Sequence, residues 1–117
     1  MSESTDQAEP LTLINVFEIA AEDVDGFLSG WQKRLEMMSA KQGFISAQLF
    51  RAVSEDTRFQ LVNVAQWASK ADFDRATSDE GFRHSRQAGA AAIGASVRAN
   101  PGLYRPVTPG SEASGPE

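Results

Sequence analysis

The chain contains no cysteine. Disulfides, thiolate nucleophiles, iron–sulfur clusters and zinc–thiolate sites are excluded together, and that absence by itself says little about compartment. Histidine occurs once, at His84, and a lone histidine with no second ligand beside it makes a poor metal site. No apolar run approaches the roughly 18 residues of a membrane span. The N-terminus lacks a basic segment followed by an apolar one, so no signal peptide is expected. The expectation is a cytoplasmic protein without membrane contact. Lys and Arg are missing from residues 1–10 and 108–117, where Glu3, Asp6, Glu9, Glu112 and Glu117 lie. The net charge of -5 therefore belongs to the ends, and between them acids and bases balance. Nothing forms a basic stripe to meet a phosphate backbone, which argues against a nucleic-acid partner.

What remains is a chain of 117 residues, 41% hydrophobic and 23% charged, with room for one domain and one core. Residues 1–10 and 108–117 carry too little patterned apolar surface to offset ordering entropy and read as disordered tails. The working domain is 11–107.

Within it, Leu11 to Ile19 is rich in β-branched and aromatic residues and reads as a strand. Acids around Glu22 and Asp23 suit a helix start. Val24, Phe27, Leu28, Trp31, Leu35 and Met38 then form one apolar stripe, with Gly43 placed to end the helix. Phe44 to Val53 and Phe59 to Trp67 read as a hairpin turning at Ser54-Glu55-Asp56. A second helix starts beside Ser69, is interrupted around Ser78 to Gly81, and resumes from Phe82 to Ala91. Asn100-Pro101-Gly102 signals a turn, followed by a short closing strand from Leu103 to Val107, where Pro106 cannot donate to a ladder, so that the strand either frays or sits at a sheet edge. The order β-α-β-β-α-β predicts an α+β, ferredoxin-like fold: a four-stranded antiparallel sheet with both helices on one face. Val62 and Val64 point away from Leu61 and Ala65, so the other face also needs a cover. A second copy of the chain is the simplest one, making a homodimer.

Two asparagines break the apolar pattern. Side chains alternate across a strand, so Leu11, Leu13, Asn15, Phe17 and Ile19 share a face, as do Phe59, Leu61, Asn63, Ala65 and Trp67. The first and third strands are central neighbours in this fold, so both amides project into the space between sheet and helices. An unpaired buried amide costs about 1–3 kcal/mol, which suggests a pocket holding a polar ligand or ordered water. The alternative is that Asn15 and Asn63 bond each other or nearby backbone and only fix register. Trp67, at a strand end, reads first as core. Trp31, Met37 and Met38 read as helix packing. Arg86, four residues after Phe82, shares its helical face and either reaches an anionic or phenolic oxygen or lies on the surface. His84 sits on a polar stretch and reads as solvated. Gly94 belongs to no phosphate-binding pattern, and no Ser/His/Asp set has a known spacing.

Three segments together resemble the antibiotic-biosynthesis monooxygenase family of small dimeric α+β barrels. They are Ile14-Asn15-Val16-Phe17 with the helix around Phe27 to Trp31, then Gln42-Gly43-Phe44-Ile45-Ser46, and Val62-Asn63-Val64-Ala65-Gln66-Trp67. Gly102-Leu103-Tyr104-Arg105 also fits. Members acting on polyketide phenols and anthrones oxidise them to quinones with O2, using no metal or flavin. The resemblance thus implies a small aromatic substrate, no cofactor and a homodimer. It implies catalytic roles for Asn63 and Trp67, which match the Asn and Trp of the third-strand motif, and for Arg86, near the position of a helix Arg. A helix Tyr used by those members falls on Phe73, which has no hydroxyl. The pocket would be lined by Asn15, Phe17, Trp31, Phe59, Leu61, Phe73 and Phe82. A haem-degrading branch of the family uses a first-strand Asn, matched by Asn15. Its helix Trp and His, however, fall on Ala76 and Arg86, with His84 on a different helical face.

Overall fold

The computed structural model describes residues 9–81, 83 and 97–110. Its elements run β1 (Leu11–Glu18), a 3-10 turn (Ala21–Asp23), α1 (Val24–Ser39), β2 (Phe44–Arg51), β3 (Phe59–Trp67), α2 (Lys70–Thr77) and β4 (Arg98–Tyr104). The sheet order is β2-β3-β1-β4 and every neighbouring pair is antiparallel. This is the ferredoxin-like arrangement that the periodicity predicts, with β1 and β3 at its centre.

The helices start and stop for local reasons. Ser69 caps α2, its hydroxyl accepting from the Asp72 N–H at 3.1 Å. At the far end Ser78 turns its hydroxyl back onto the Asp74 carbonyl at 2.9 Å, and helical backbone resumes at Glu80. Gly43 does not cap α1 as expected. The helix ends earlier, at Ser39, with Ala40 still in a right-handed conformation. Gly43, at φ 92, instead turns the chain into β2, where a Cβ would lie 2.3 Å from the Cβ of Asp72.

Two residues are inserted into the ladder. Ile45 is extra in β2, between Phe44 opposite Trp67 and Ser46 opposite Gln66. Gln60 is extra in β3, between Phe59 opposite Glu18 and Leu61 opposite Phe17. Gln60 is buried, and its amide donates to the carbonyls of Ser54, Glu55 and Thr57, tying down the hairpin loop. The bulge also moves Phe59 out of the row expected for it. It stands opposite Glu18, with the Arg58 guanidinium 5.1 Å from its ring centre.

The closing strand also differs from expectation. Asn100-Pro101-Gly102 is not a turn but the middle of β4, and the strand stops at Tyr104. β4 is an edge strand, where a residue without an N–H is tolerated. Side-chain amides bridge the gap: the Asn100 N–H donates to Oδ1 of Asn15 at 3.0 Å, and Nδ2 of Asn100 donates to the Val16 carbonyl at 3.1 Å.

Both helices pack on one face of the sheet, and the core there divides in two. One cluster gathers Leu11, Ala65, Trp67 and Ala76, with Leu13, Met38, Phe44 and Phe73 packed against it. The other gathers Phe17, Ile19, Val24 and Leu61, with Phe27, Leu28, Trp31 and Leu49. On the opposite face the register aligns Phe50, Val62 and Val16 in one row and Gln48, Val64 and Ile14 in the next. Beside them Thr12 donates to the Gln66 amide oxygen at 2.8 Å. Phe50 is 48% exposed, and among the described residues no element covers this face.

Candidate active site

Asn15 and Asn63 are direct cross-strand partners. On β3, Asn63 lies between Leu61 of one cluster and Ala65 of the other, so the pair occupies the seam where the core divides. The two amides are not equivalent. Oδ1 of Asn15 accepts from the β4 backbone and helps fix that strand's register. Asn63 is 7% exposed, and its Oδ1 is buried with no hydrogen-bond partner among the described residues. A buried carbonyl oxygen without a donor costs about 1–3 kcal/mol. Asn15 therefore follows the register reading in part, while Asn63 keeps an acceptor at the centre of the domain that no described residue bonds.

Aromatic rings stand on both sides of this seam. Trp67 is fully buried, meeting Phe44 edge-on with ring centres 5.4 Å apart and Phe73 edge-on at 5.6 Å. Phe73 thus reaches the strand-end tryptophan from α2, as its place on the helix suggests. On the other side Phe17 packs against Phe27 at 5.1 Å and against Trp31 at 6.4 Å, and Phe27 stacks on Trp31 at 6.0 Å. Leu61 is completely buried beneath them. The structure thus brings Asn15, Asn63, Phe17, Leu61 and Trp31 to one layer, with Trp67 and Phe73 adjoining. Phe59 is not among them. Phe82, His84 and Arg86 lie outside the described residues.

The sequence reading misses one buried cation. Arg34 on α1 is 7% exposed, with its guanidinium carbon 4.9 Å above the Phe27 ring centre and 5.6 Å from that of Trp31. Phe27, Trp31, Arg34 and Met38 follow each other at spacings of three and four, so the signal was a charge inside an apolar stripe. Gly30 is part of it as well. A side chain there would meet Nη1 of Arg34 at 3.2 Å, so the glycine leaves room for the guanidinium to fold back along the helix.

A surface pocket of about 230 Å3 lies elsewhere, lined by Lys41, Gln42, Asp72, Arg75, Ala76, Ser78 and Asp79. Its cations already face its anions, Lys41 with Asp79 at 3.3 Å and Arg75 with Asp72 at 2.8 Å. Among the described residues no three His, Cys, Asp or Glu side chains converge as metal ligands, and no helix is long and apolar enough to cross a membrane.

Residues 10–88 match the family model for antibiotic biosynthesis monooxygenase. The chain belongs to that family. A suspected monooxygenase of Shewanella loihica PV-4 is 33% identical, with a TM-score of 0.68 over 86% of this chain and 97% of that one. SnoaB, a cofactor-independent oxygenase of Streptomyces nogalater, is 24% identical, with a TM-score of 0.69 over 94% of this chain and 100% of its own. A suspected antibiotic biosynthesis monooxygenase of Nitrosomonas europaea shares the fold at 10% identity, with a TM-score of 0.66 over 90% of this chain and 96% of that one. No curated protein matches the chain.

Proposed function

We propose that the chain is a cofactor-independent monooxygenase that oxidises an electron-rich aromatic substrate, of the phenol or anthrone type, to a quinone with O2. The observation that carries this reading is the buried Oδ1 of Asn63, which has no partner among the described residues, between two aromatic clusters. Family membership and the likeness to SnoaB supply the reaction class.

The chemistry asks little of the protein. An anthrone methylene gives up a proton to become an electron-rich enolate, which passes electrons directly to O2. One oxygen atom becomes the new carbonyl and the other leaves as water, so the four electrons lost by carbon are those gained by O2 and no outside reductant enters. The protein must hold a flat ring, exclude water and stabilise the developing oxyanion. The aromatic walls supply the first two. At Asn63, Oδ1 accepts from a substrate hydroxyl and the amide N–H groups face the growing negative charge, which is worth more in a dry site than in water. Trp67 and Arg86 complete the proposed catalytic set, with Phe73 closing the pocket beside Trp67 where a tyrosine would add a proton donor. The uncovered sheet face supports a homodimer, and the proposed location is the cytoplasm.

Anaerobically prepared anthrone mixed with the protein and air should give quinone absorbance and one equivalent of O2 consumed per quinone. Rates equal to buffer across several anthrones and naphthols would sink the reading. One observation favours a second reading, a barrel that binds a hydrophobic ligand without chemistry: Trp67 is so completely packed that its ring serves as core. That protein would bind the same compounds and consume no O2.

A further inference from the structure

The charged crevice beside α2 takes no part in the chemistry above, yet it adjoins the proposed site. It lies between the turn that follows α1, at Lys41 and Gln42, and the face of α2 and its exit that carries Asp72, Arg75, Ala76 and Asp79. Ala76 lines the crevice and is also buried in the cluster that holds Trp67, with Phe73 packed against the same cluster. One small side chain thus belongs to the wall between a surface crevice and the Trp67 end of the site.

An ion pair spans this crevice, Nζ of Lys41 lying 3.3 Å from Oδ2 of Asp79. The two side chains are 29% and 38% exposed, so water competes for both. Each stands where the backbone is irregular. Lys41 follows the end of α1 at Ser39, and Asp79 sits in the break between α2, which ends at Thr77, and the helical backbone that resumes at Glu80. Parting them unwinds no helix and breaks no strand pairing, which makes this a place for cheap local opening. Arg75 and Asp72, by contrast, pair within one helix and tie nothing across the crevice.

We infer that the crevice is the mouth through which small neutral molecules, O2 among them, reach Trp67, and that the Lys41–Asp79 pair is the latch that holds it closed. This adds a way in to the site proposed above and does not depend on the reaction there, so it is tested without turnover. The chain has two tryptophans, so Trp31→Phe leaves Trp67 as the sole one. Trp67 is 1% exposed, and a quencher therefore meets it only when the fold opens. The probe is acrylamide, a neutral quencher of tryptophan fluorescence whose approach is indifferent to the loss of a charge.

In that background Lys41→Met should raise the dynamic quenching constant about two- to fivefold, the change in open population expected when a partly exposed ion pair is lost. Lys41→Arg should leave it near the starting value. Lys70→Met, which removes the Lys70–Asp74 pair within α2, should also leave it unchanged, because that pair spans nothing. Salt at about 0.5 M should raise quenching while Lys41 is present and not in Lys41→Met, because screening acts on the pair. Ala76→Val thickens the shared wall and should bring the Lys41→Met value back down. Should it fail to fold by far-UV circular dichroism, the Lys41, Lys70 and salt comparisons still decide. Quenching unchanged by Lys41→Met, an equal rise in Lys70→Met, a salt response that persists in Lys41→Met, or undiminished quenching in a folded Ala76→Val variant would each overturn the inference. Oxidation of anthrones with quenching indifferent to Lys41 would leave the oxygenase reading standing and its entrance elsewhere. The quenching response without oxidation would leave the mouth and remove the chemistry.

Discussion

Asn15 and Asn63 face each other across the central strands, and their replacement by leucine should move stability in opposite directions. Leucine shares asparagine's branching at Cγ, and its bulkier methyls add a modest volume at both positions that offsets part of any gain. At position 63 it removes a buried oxygen that has no donor among the described residues and adds apolar surface beside Leu61, Leu49 and Ala65. Relief of an unsatisfied acceptor is worth about 1–3 kcal/mol, so Asn63→Leu should stabilise the fold by about 1 kcal/mol or more. At position 15 the same change deletes the acceptor for the Asn100 N–H. Asn100 is exposed, so water partly replaces that bond and the expected loss is about 0.5–1.5 kcal/mol.

The difference between the two variants is then about 2 kcal/mol, or roughly 8–16 °C in melting temperature for a domain of this size. Urea unfolding followed by far-UV circular dichroism measures it, provided that the dependence on urea is shared with the wild type. Under the proposed function the stabilised Asn63→Leu variant should also fail to form quinone. A loss above about 1 kcal/mol for Asn63→Leu, with unchanged urea dependence, would refute the claim that its amide is unsatisfied, because a residue held by good hydrogen bonds destabilises when it is removed.

Other positions give narrower tests. Gly43→Ala adds a Cβ at a backbone angle that side chains rarely adopt and drives it into Asp72, so it should cost about 2 kcal/mol or more in a melting experiment; a change under 0.5 kcal/mol would contradict the geometry. Ser69→Ala removes the cap of α2 and should cost about 1 kcal/mol, which Ser69→Asp should largely restore; equal losses in both would mean the cap contributes little. Val64→Glu places a charge in the middle of the uncovered sheet face and should yield a monomer by light scattering if that face joins two copies; a dimer of unchanged affinity would move the interface elsewhere. Trp67→Phe keeps a ring between Phe44 and Phe73 but deletes the indole N–H and the second ring, so stability should fall by about 1–3 kcal/mol while quinone formation falls tenfold or more; an unchanged rate would leave Trp67 as core.

Strand and helix order, the paired asparagines and the apolar second face were all legible, because each is a statement about alternation along one element. The failures share a cause, which is partners far away in the chain. Asn-Pro-Gly is a turn by local chemistry, and pairing with β1, many residues earlier, helped by the Asn15 and Asn100 side chains, lets it run straight as an edge strand. The inward Gln60 was not legible, because the loop carbonyls that hold it belong to the fold rather than to the strand. Displacing Phe59 from the inner row follows from that one bulge. Arg34 is easily passed over, because a long charged side chain on a helix is by default solvated. Its place inside the apolar stripe, with Gly30 one turn before it, was the local hint.

The topology itself explains why the unused acceptor falls on β3 and not on β1. Both strands are central, but β1 leans on β4, and opposite Asn15 that neighbour offers a proline with no N–H. The ladder has a gap there, and the nearest polar side chain is drawn into bridging it. β3 is flanked instead by β2 and β1, with Leu49 and Asn15 opposite Asn63 and neither of those residues a proline. With no comparable gap beside it, the Asn63 side chain points into the seam between the two clusters, and its Oδ1 finds no hydrogen-bond donor among the described residues. An asparagine in that row cannot be explained by the sheet. Its cost is carried by packing on either side, with Leu61 one step away and Ala65 and Trp67 one and two steps away along the face, all almost wholly buried. Under the proposed aromatic oxygenation, the oxygen that no described residue bonds is the group that meets the substrate.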